Sequence, residues 1–368
     1  MTKETFDFNQ KIGSKKLERF ALIVHQISQK IGFRVSSRGW GYLMEQAGYI
    51  DKSQFDKVES AINRCRKIGL LPVDFVAEES ARAFVGVEKP NIYTDKPEVK
   101  DTLKWILKNV IHGDRYYTPD WWEGEEYYIQ MLVEKIDLKE LWTDICNEYH
   151  IPIANAKGWS SILQRAEYAR RFKEAEEKGL KCVLLYAGDH DPDGLRISDT
   201  LRKNLYDVKD IFWSDQKKGY DPSNLEIHRF GLNYDFIVEN NYTWIDNLVT
   251  GSGNVLARVD EEGNIVPGLK TKGKNAGQEH QNFNMPYLQK YVKKYGVRKC
   301  EANAVVTTPR VAQKLVRDEI EKWLGPDSAE RFASKRFAVE AEYAELLDET
   351  HLREPIERIL GEDKSDEE

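Results

Sequence analysis

Cysteine is scarce in this chain and spread out: Cys65, Cys146, Cys182 and Cys300 are the only four in 368 residues. None forms a Cys-x-x-Cys pair, so the spacing points to neither a zinc site nor a disulfide frame. Long apolar runs are missing too, and nothing approaches the ~20 consecutive apolar residues of a membrane span. The opening stretch MTKETFDFNQKIGSKK lacks the apolar core of a signal peptide, so a cytoplasmic location with no membrane partner is expected. There is no Gly-x-x-x-x-Gly-Lys-Ser/Thr loop, and GSGNV (251–255) is not Gly-x-Gly-x-x-Gly, which argues against a nucleotide-hydrolysing site. No internal repeat is visible.

What is present begins with charge. The net charge is −7, but it is unevenly spread. Residues 11–72 carry 12 Lys and Arg against 5 Asp and Glu, whereas 340–368 carry 3 against 12. The acidic end masks a basic N-terminal module. On charge alone that module is either a solvated helical surface or a contact face for a polyanion. The length favours two domains, and 40% hydrophobic residues suffice for packed cores.

The spacing of apolar residues predicts helices over 14–31, 37–47 and 53–68, with Ser53 as a cap and Gly69 as a stop. Three short helices with a basic surface suggest a winged-helix or helix-turn-helix module over 1–85. Residues 86–126 hold three prolines, a predicted helix near 98–111 and the aromatic stretch YYTPDWWEGEEYY (116–128). They read as a connection whose aromatics pack against neighbouring structure rather than stack on bases. From 127 to 347 strands and helices alternate: strands at 127–133, 151–154, 182–187 and 225–230, helices at 137–149, 160–178 and 195–205. This is the pattern of an α/β fold with a parallel, helix-covered sheet. Residues 250–283 read as a Gly-, Asn- and Lys-rich surface loop. Helices follow at 285–295, 308–324 and 335–347, and the acidic tail 348–368 is expected to be disordered.

The stretch LKCVLLYAGDHDPDGLRIS (180–198) is the most informative. A buried strand ends on Gly188 and delivers Asp189 and Asp191 at its carboxyl end, where open α/β sheets place ligands. The strand YYIQMLV ends upstream in Glu134. One reading is a plain strand–turn–helix junction with Asp191 or Asp193 capping the helix. The other is a metal centre, because adjacent carboxylates repel unless a cation neutralises them. Glu134, Asp189 and Asp191 offer hard oxygens, which suit Mg²⁺ or Mn²⁺ rather than zinc. His190 is expected to point away from the acids, as a supporting or surface residue.

Glu134-Lys135, Lys157-Gly158, Asp189-His190-Asp191-Pro192-Asp193-Gly194 and Lys299-Cys300-Glu301-Ala302-Asn303-Ala304 occur in that order. Together they resemble the Rossmann-like Toprim domain of the topoisomerase VI A subunit and its relatives, which include the meiotic double-strand-break transesterases and small viral or mobile-element A-like proteins. That family joins the Toprim domain to a winged helix whose motif resembles Arg-Asp-x-Tyr-Tyr. Here Arg38 matches the arginine and Tyr42 the nucleophilic tyrosine. Gly39 and Gly41 replace an acidic residue and a tyrosine, and two glycines weaken a helix.

The resemblance implies Mg²⁺-dependent cleavage of double-stranded DNA by tyrosine transesterification, with a 5′-phosphotyrosyl intermediate. It further implies a homodimer in which Tyr42 and the metal of one site come from different subunits, and a separate GHKL-type ATPase partner for strand passage. A phenol is a poor nucleophile at neutral pH and needs a cation or base beside it. Arg38 is suited to stabilising a phenolate or a phosphate, not to acting as a base. Two alternatives stand beside this reading: a metal-dependent nuclease that uses water, with Tyr42 structural, and a non-catalytic DNA-binding protein.

Overall fold

The computed structural model describes residues 13–72, 75–77, 99–156, 162–211, 219–249, 253–271 and 275–361. It divides into two compact units. The first comprises 1–79, 126–147 and 151–323, and the second 80–125, 148–150 and 324–368.

The sheet of the first unit is built from β1 (Tyr127–Val133), β2 (Ile153–Asn155), β3 (Lys181–Ala187) and β4 (Glu226–Phe230), all parallel, in the order β2-β1-β3-β4. β1 and β3 are buried beyond their first residue. Burial on both faces is why they read as unbroken apolar runs rather than alternating ones. The polar member of β1, Gln130, is fully buried and donates to the Tyr168 carbonyl at 3.1 Å. Helices α5 (Ile136–Glu148), α6 (Ile162–Glu177) and α7 (Ile197–Tyr206) make the crossovers. Because β2 lies on one side of β1 and β3 on the other, the winding direction reverses between β1 and β3. The two strands run flush, Val133 opposite Ala187, so Glu134 and Asp189 emerge together at that switch point.

The basic N-terminal module is helical. It holds α1 (Ser14–Ile31), α2 (Ser37–Gln46) and α3 (Phe55–Lys67), with a 3₁₀ turn at Lys52–Gln54, and no strand occurs among its described residues. The Ser36 hydroxyl caps α2 by accepting from Gly39 N at 3.1 Å and donates to Asp137 Oδ2 at 2.6 Å. The two α2 glycines answer to packing. A Cβ on Gly41 would lie 2.7 Å from the Phe55 ring, and one on Gly39 would meet the Val35 side chain and come within 2.8 Å of Asp137 Oδ2.

The remaining elements of this unit are α8 (Tyr234–Glu239), the hairpin β5 (Ala257–Val259) and β6 (Ile265–Pro267), α9 (Pro286–Tyr295) and α10 (Pro309–Leu324), which closes the unit at Trp323. The hairpin corrects the reading of 250–283 as loop, and α8 is an element that the sequence reading did not assign. Their segments of three to six residues are shorter than the windows in which periodicity shows.

The second unit contains α4 (Val99–Ile111), α11 (Ser328–Glu349) and α12 (Arg353–Gly361). Arg331 pairs in a fork with Glu125 at 3.1 and 2.8 Å, and the Tyr343 hydroxyl donates to the Val110 carbonyl at 2.5 Å. Trp121 and Trp122 pack edge-on against Phe332, so these aromatics serve a core. α11 begins seven residues before the predicted 335. α12 occupies much of the stretch expected to be a disordered tail, because Ile356 is buried and anchors it despite the acidic composition. Residues 362–368 lie outside the described residues.

Candidate functional site

The acidic turn after β3 is held by backbone and side-chain bonds from three directions. His190 N donates to the Cys300 carbonyl at 2.8 Å and Cys300 N returns to the His190 carbonyl at 3.1 Å, forming an isolated antiparallel bridge. Arg229, on edge strand β4, donates Nε to the Gly194 carbonyl at 3.0 Å and Nη2 to the Asp189 carbonyl at 3.1 Å. Gly194 N donates to Asp191 Oδ1 at 2.6 Å. A Cβ on Gly194 would collide with the Asp189 carbonyl, so the Asp-x-Asp-Pro-x-Gly spacing has a steric cause. Gly188 is equally tight, since a Cβ there would lie 2.6 Å from Glu134 Oε2.

Glu134 and Asp189 meet directly. Asp189 N donates to Glu134 Oε2 at 2.8 Å. The Lys135 ammonium lies 3.0 Å from Glu134 Oε1 and 2.8 Å from Asp189 Oδ2. Asp189 Oδ1 accepts from Ala302 N at 2.7 Å. Burial raises the Asp189 carboxyl above its ordinary value. Burial also opposes charge on Glu134, but Lys135 and the Asp189 N–H outweigh it and hold that carboxyl low. Lys135 stays protonated because these two acids outweigh its own burial.

Asp191 takes a different direction from Asp189. Glu134, Asp191 and Asp193 line one cavity of about 390 Å³, with Lys135 and Tyr186 on its wall and Ile197 of α7 beside them. Asp189 does not line it. Among the described residues no three His, Cys, Asp or Glu side chains close into a ready metal cage. Mg²⁺ keeps several waters and takes one or two carboxylates. Glu134 and Asp191 on a shared cavity meet that requirement, and the Lys135 ammonium bridging Glu134 and Asp189 marks a place where the acids call for positive charge. The donor set therefore fits a hydrated hard cation. Asp193, read in the sequence only as a cap, belongs to this cavity; its spacing two residues after Asp191 was the available signal.

The other candidates fall on the face next to Glu301. The Tyr42 hydroxyl donates to Glu301 Oε2 at 2.8 Å, and Tyr42 is 1% exposed. Burial, reinforced by Glu301, pushes its phenol far above the ordinary value. Arg38 Nε lies 3.5 Å from Glu301 Oε2, and its Nη1 lies 3.3 Å from Asp56. Lys299 adds a second cation, 3.6 Å from Glu301 Oε1. Burial opposes charge on Glu301, but Arg38 and the Tyr42 hydroxyl outweigh it and keep the carboxyl low. Buried Asp137 accepts from Ser36 N, Ser36 Oγ and Asn303 Nδ2, tying the start of α2 to the late motif.

His190 points away from the acids, as expected, but it is buried rather than at the surface. Its Nδ1 is 2.8 Å from the Leu232 carbonyl, which only accepts, so Nδ1 carries the proton. Its ring meets Tyr295 edge-on, with centroids 4.8 Å apart. Burial lowers its pKa to about 4. Lys157 and Gly158 lie outside the described residues. Arg229 and Asp137 were missed by sequence reasoning, since a lone Arg in a short strand and a lone Asp opening a helix carry no motif. No protein-family model, no curated protein and no solved structure matches this chain.

Proposed function

We propose that this chain is a DNA-cleaving enzyme dependent on Mg²⁺ or Mn²⁺, in which the Toprim-like α/β region hydrolyses a phosphodiester with water and the N-terminal helix-turn-helix-like module supplies DNA contacts. The observation that supports it is the convergence of Glu134 and Asp191 on one cavity at the β1/β3 switch point, while Tyr42 is covered and bonded to Glu301. Glu134 and Asp191 would hold the cation. When bound, such a cation neutralises a phosphate and lowers the cost of forming hydroxide from water. Asp189 holds Lys135 and, through its carbonyl, the Arg229 clamp. Lys135 keeps one positive charge at the cavity wall, suited to receiving a phosphate oxygen.

A second reading is tyrosine transesterification of the topoisomerase VI A type, by a homodimer with a GHKL-type ATPase partner. One observation favours it: Arg38 and Tyr42, the two residues that match the family's motif, both reach Glu301, so the arginine lies beside the phenol. It requires Tyr42 to rotate out of its cover. Incubation of supercoiled plasmid with Mg²⁺ or Mn²⁺, then denaturation, separates the readings. Hydrolysis gives nicked or linear DNA free of protein, whereas transesterification leaves protein on the 5′ ends. Binding without cleavage under any divalent cation sinks both.

A further inference from the structure

We infer that α9 is a track for a single-stranded DNA segment running from the acidic cavity, with one base seated in a slot beside the helix; this rests on the DNA-cleaving reading above. The helix starts at the cavity. The phenol of Tyr287, its second residue, lies beside Asp193, which lines that cavity. The Arg196 guanidinium lies over the Tyr287 ring, 4.4 Å from its centroid. From there α9 presents Lys290, Lys293 and Lys294, spaced as neighbours on one helical face and all exposed. The opposite face is fixed, since Leu288, Tyr291 and Val292 are buried in a cluster with Leu248 and Leu256. Lys290 and Lys293 make no ion pair among the described residues.

The slot is a cavity of about 490 Å³. Ile265, Phe283 and Val292 give it an apolar floor, and Gln289, Lys290 and Lys293 form its rim. A flat apolar body bearing negative charge at its edge matches that chemistry, which is a nucleobase with its flanking phosphates. Bases within a duplex are stacked and paired, so the slot selects unpaired nucleotides. The basic helix also starts at the cavity that would cleave the strand, so one segment reaches both.

The test is fluorescence anisotropy of the full chain with a labelled oligothymidylate in EDTA, where nothing is cleaved. Lys290→Ala with Lys293→Ala should weaken binding at least ~10-fold and lower the slope of log affinity against log salt by about 1.4, two contacts at ~0.7 each. Lys290→Arg with Lys293→Arg should keep most of the affinity. Unchanged single-strand binding in the double alanine variant, or a loss of duplex affinity as large as the loss of single-strand affinity, overturns the assignment. If the wild-type chain binds and cleaves DNA while the double variant is unaffected, only the α9 track falls. If the wild-type chain binds no DNA of either kind, the cleavage reading falls with it.

Discussion

The hydroxyl of Tyr42 donates a 2.8 Å hydrogen bond to Glu301 Oε2. Glu301 has two further partners, Arg38 and Lys299, so losing the phenol leaves its charge compensated. Tyr42→Phe should therefore cost only about 1 kcal/mol of stability. Metal-dependent plasmid cleavage should survive it within a few-fold. Loss of cleavage together with loss of a trapped protein–DNA adduct would transfer the function to the tyrosine reading.

Glu134 and Asp191 share the cavity and Asp189 does not, so their substitutions should separate. Glu134→Gln and Asp191→Asn should each lower cleavage on the order of 10²–10³-fold and weaken Mn²⁺ binding in calorimetry, with little loss of stability. Asp189→Ala strands part of the Lys135 charge and orphans Ala302 N, so urea denaturation should register a loss of about 3 kcal/mol or more. Equal stability losses for all three would count against the division of roles.

Asp137 gathers donors from Ser36 and Asn303 in a fully buried setting. Asp137→Ala orphans all of them and should destabilise on the order of 3 kcal/mol. Chemical denaturation measures this, and a loss within ~0.5 kcal/mol, the range of an ordinary surface change, would contradict the network.

By helix propensity alone, Gly41→Ala should stabilise α2 by roughly 1 kcal/mol. The Phe55 ring, 2.7 Å from the added Cβ, reverses the sign. Overpacking of this kind costs about 1–3 kcal/mol, so a lower melting temperature is expected. Gly39→Ala should behave likewise, since the new methyl meets Val35 and Asp137.

His150 titrates at about 4, below its ordinary 6.5, because burial and the nearby Arg336 disfavour its charged form. Its folded pKa is depressed, so the unfolded chain takes up the proton first. The stability of the second unit is then full above pH 6.5 and falls as the pH drops from 6.5 toward 4. His150→Gln, which has no proton to gain, should flatten that part of a stability–pH curve.

The site's skeleton was legible because β1 and β3 are buried on both faces, and doubly buried strands write themselves as apolar runs ending in Glu134 and Asp189. The N-terminal helices were legible from spacing, but the cap expected at Ser53 is supplied by Asp51, whose carboxylate accepts from Ser53 N at 2.8 Å. The hairpin β5–β6 was not, because three-residue strands carry no periodicity. α12 was not, because one buried residue, Ile356, outweighs a surrounding acidity that dominates any compositional view. The distinction between Asp189 and Asp191 was invisible for a third reason. It depends on Lys135 and Ala302 claiming one carboxylate while the Gly194 turn presents the other, and both arrangements share one spelling.

Arg229 fastens the turn by its carbonyls, and the His190–Cys300 bridge pins it from the far side. These fasteners are all protein, so the loop's shape does not wait for an ion. A cation bound there would meet oxygens already set in place and would do no folding work. Under the metal-dependent reading, a chelator would then remove the ion without unfolding the turn.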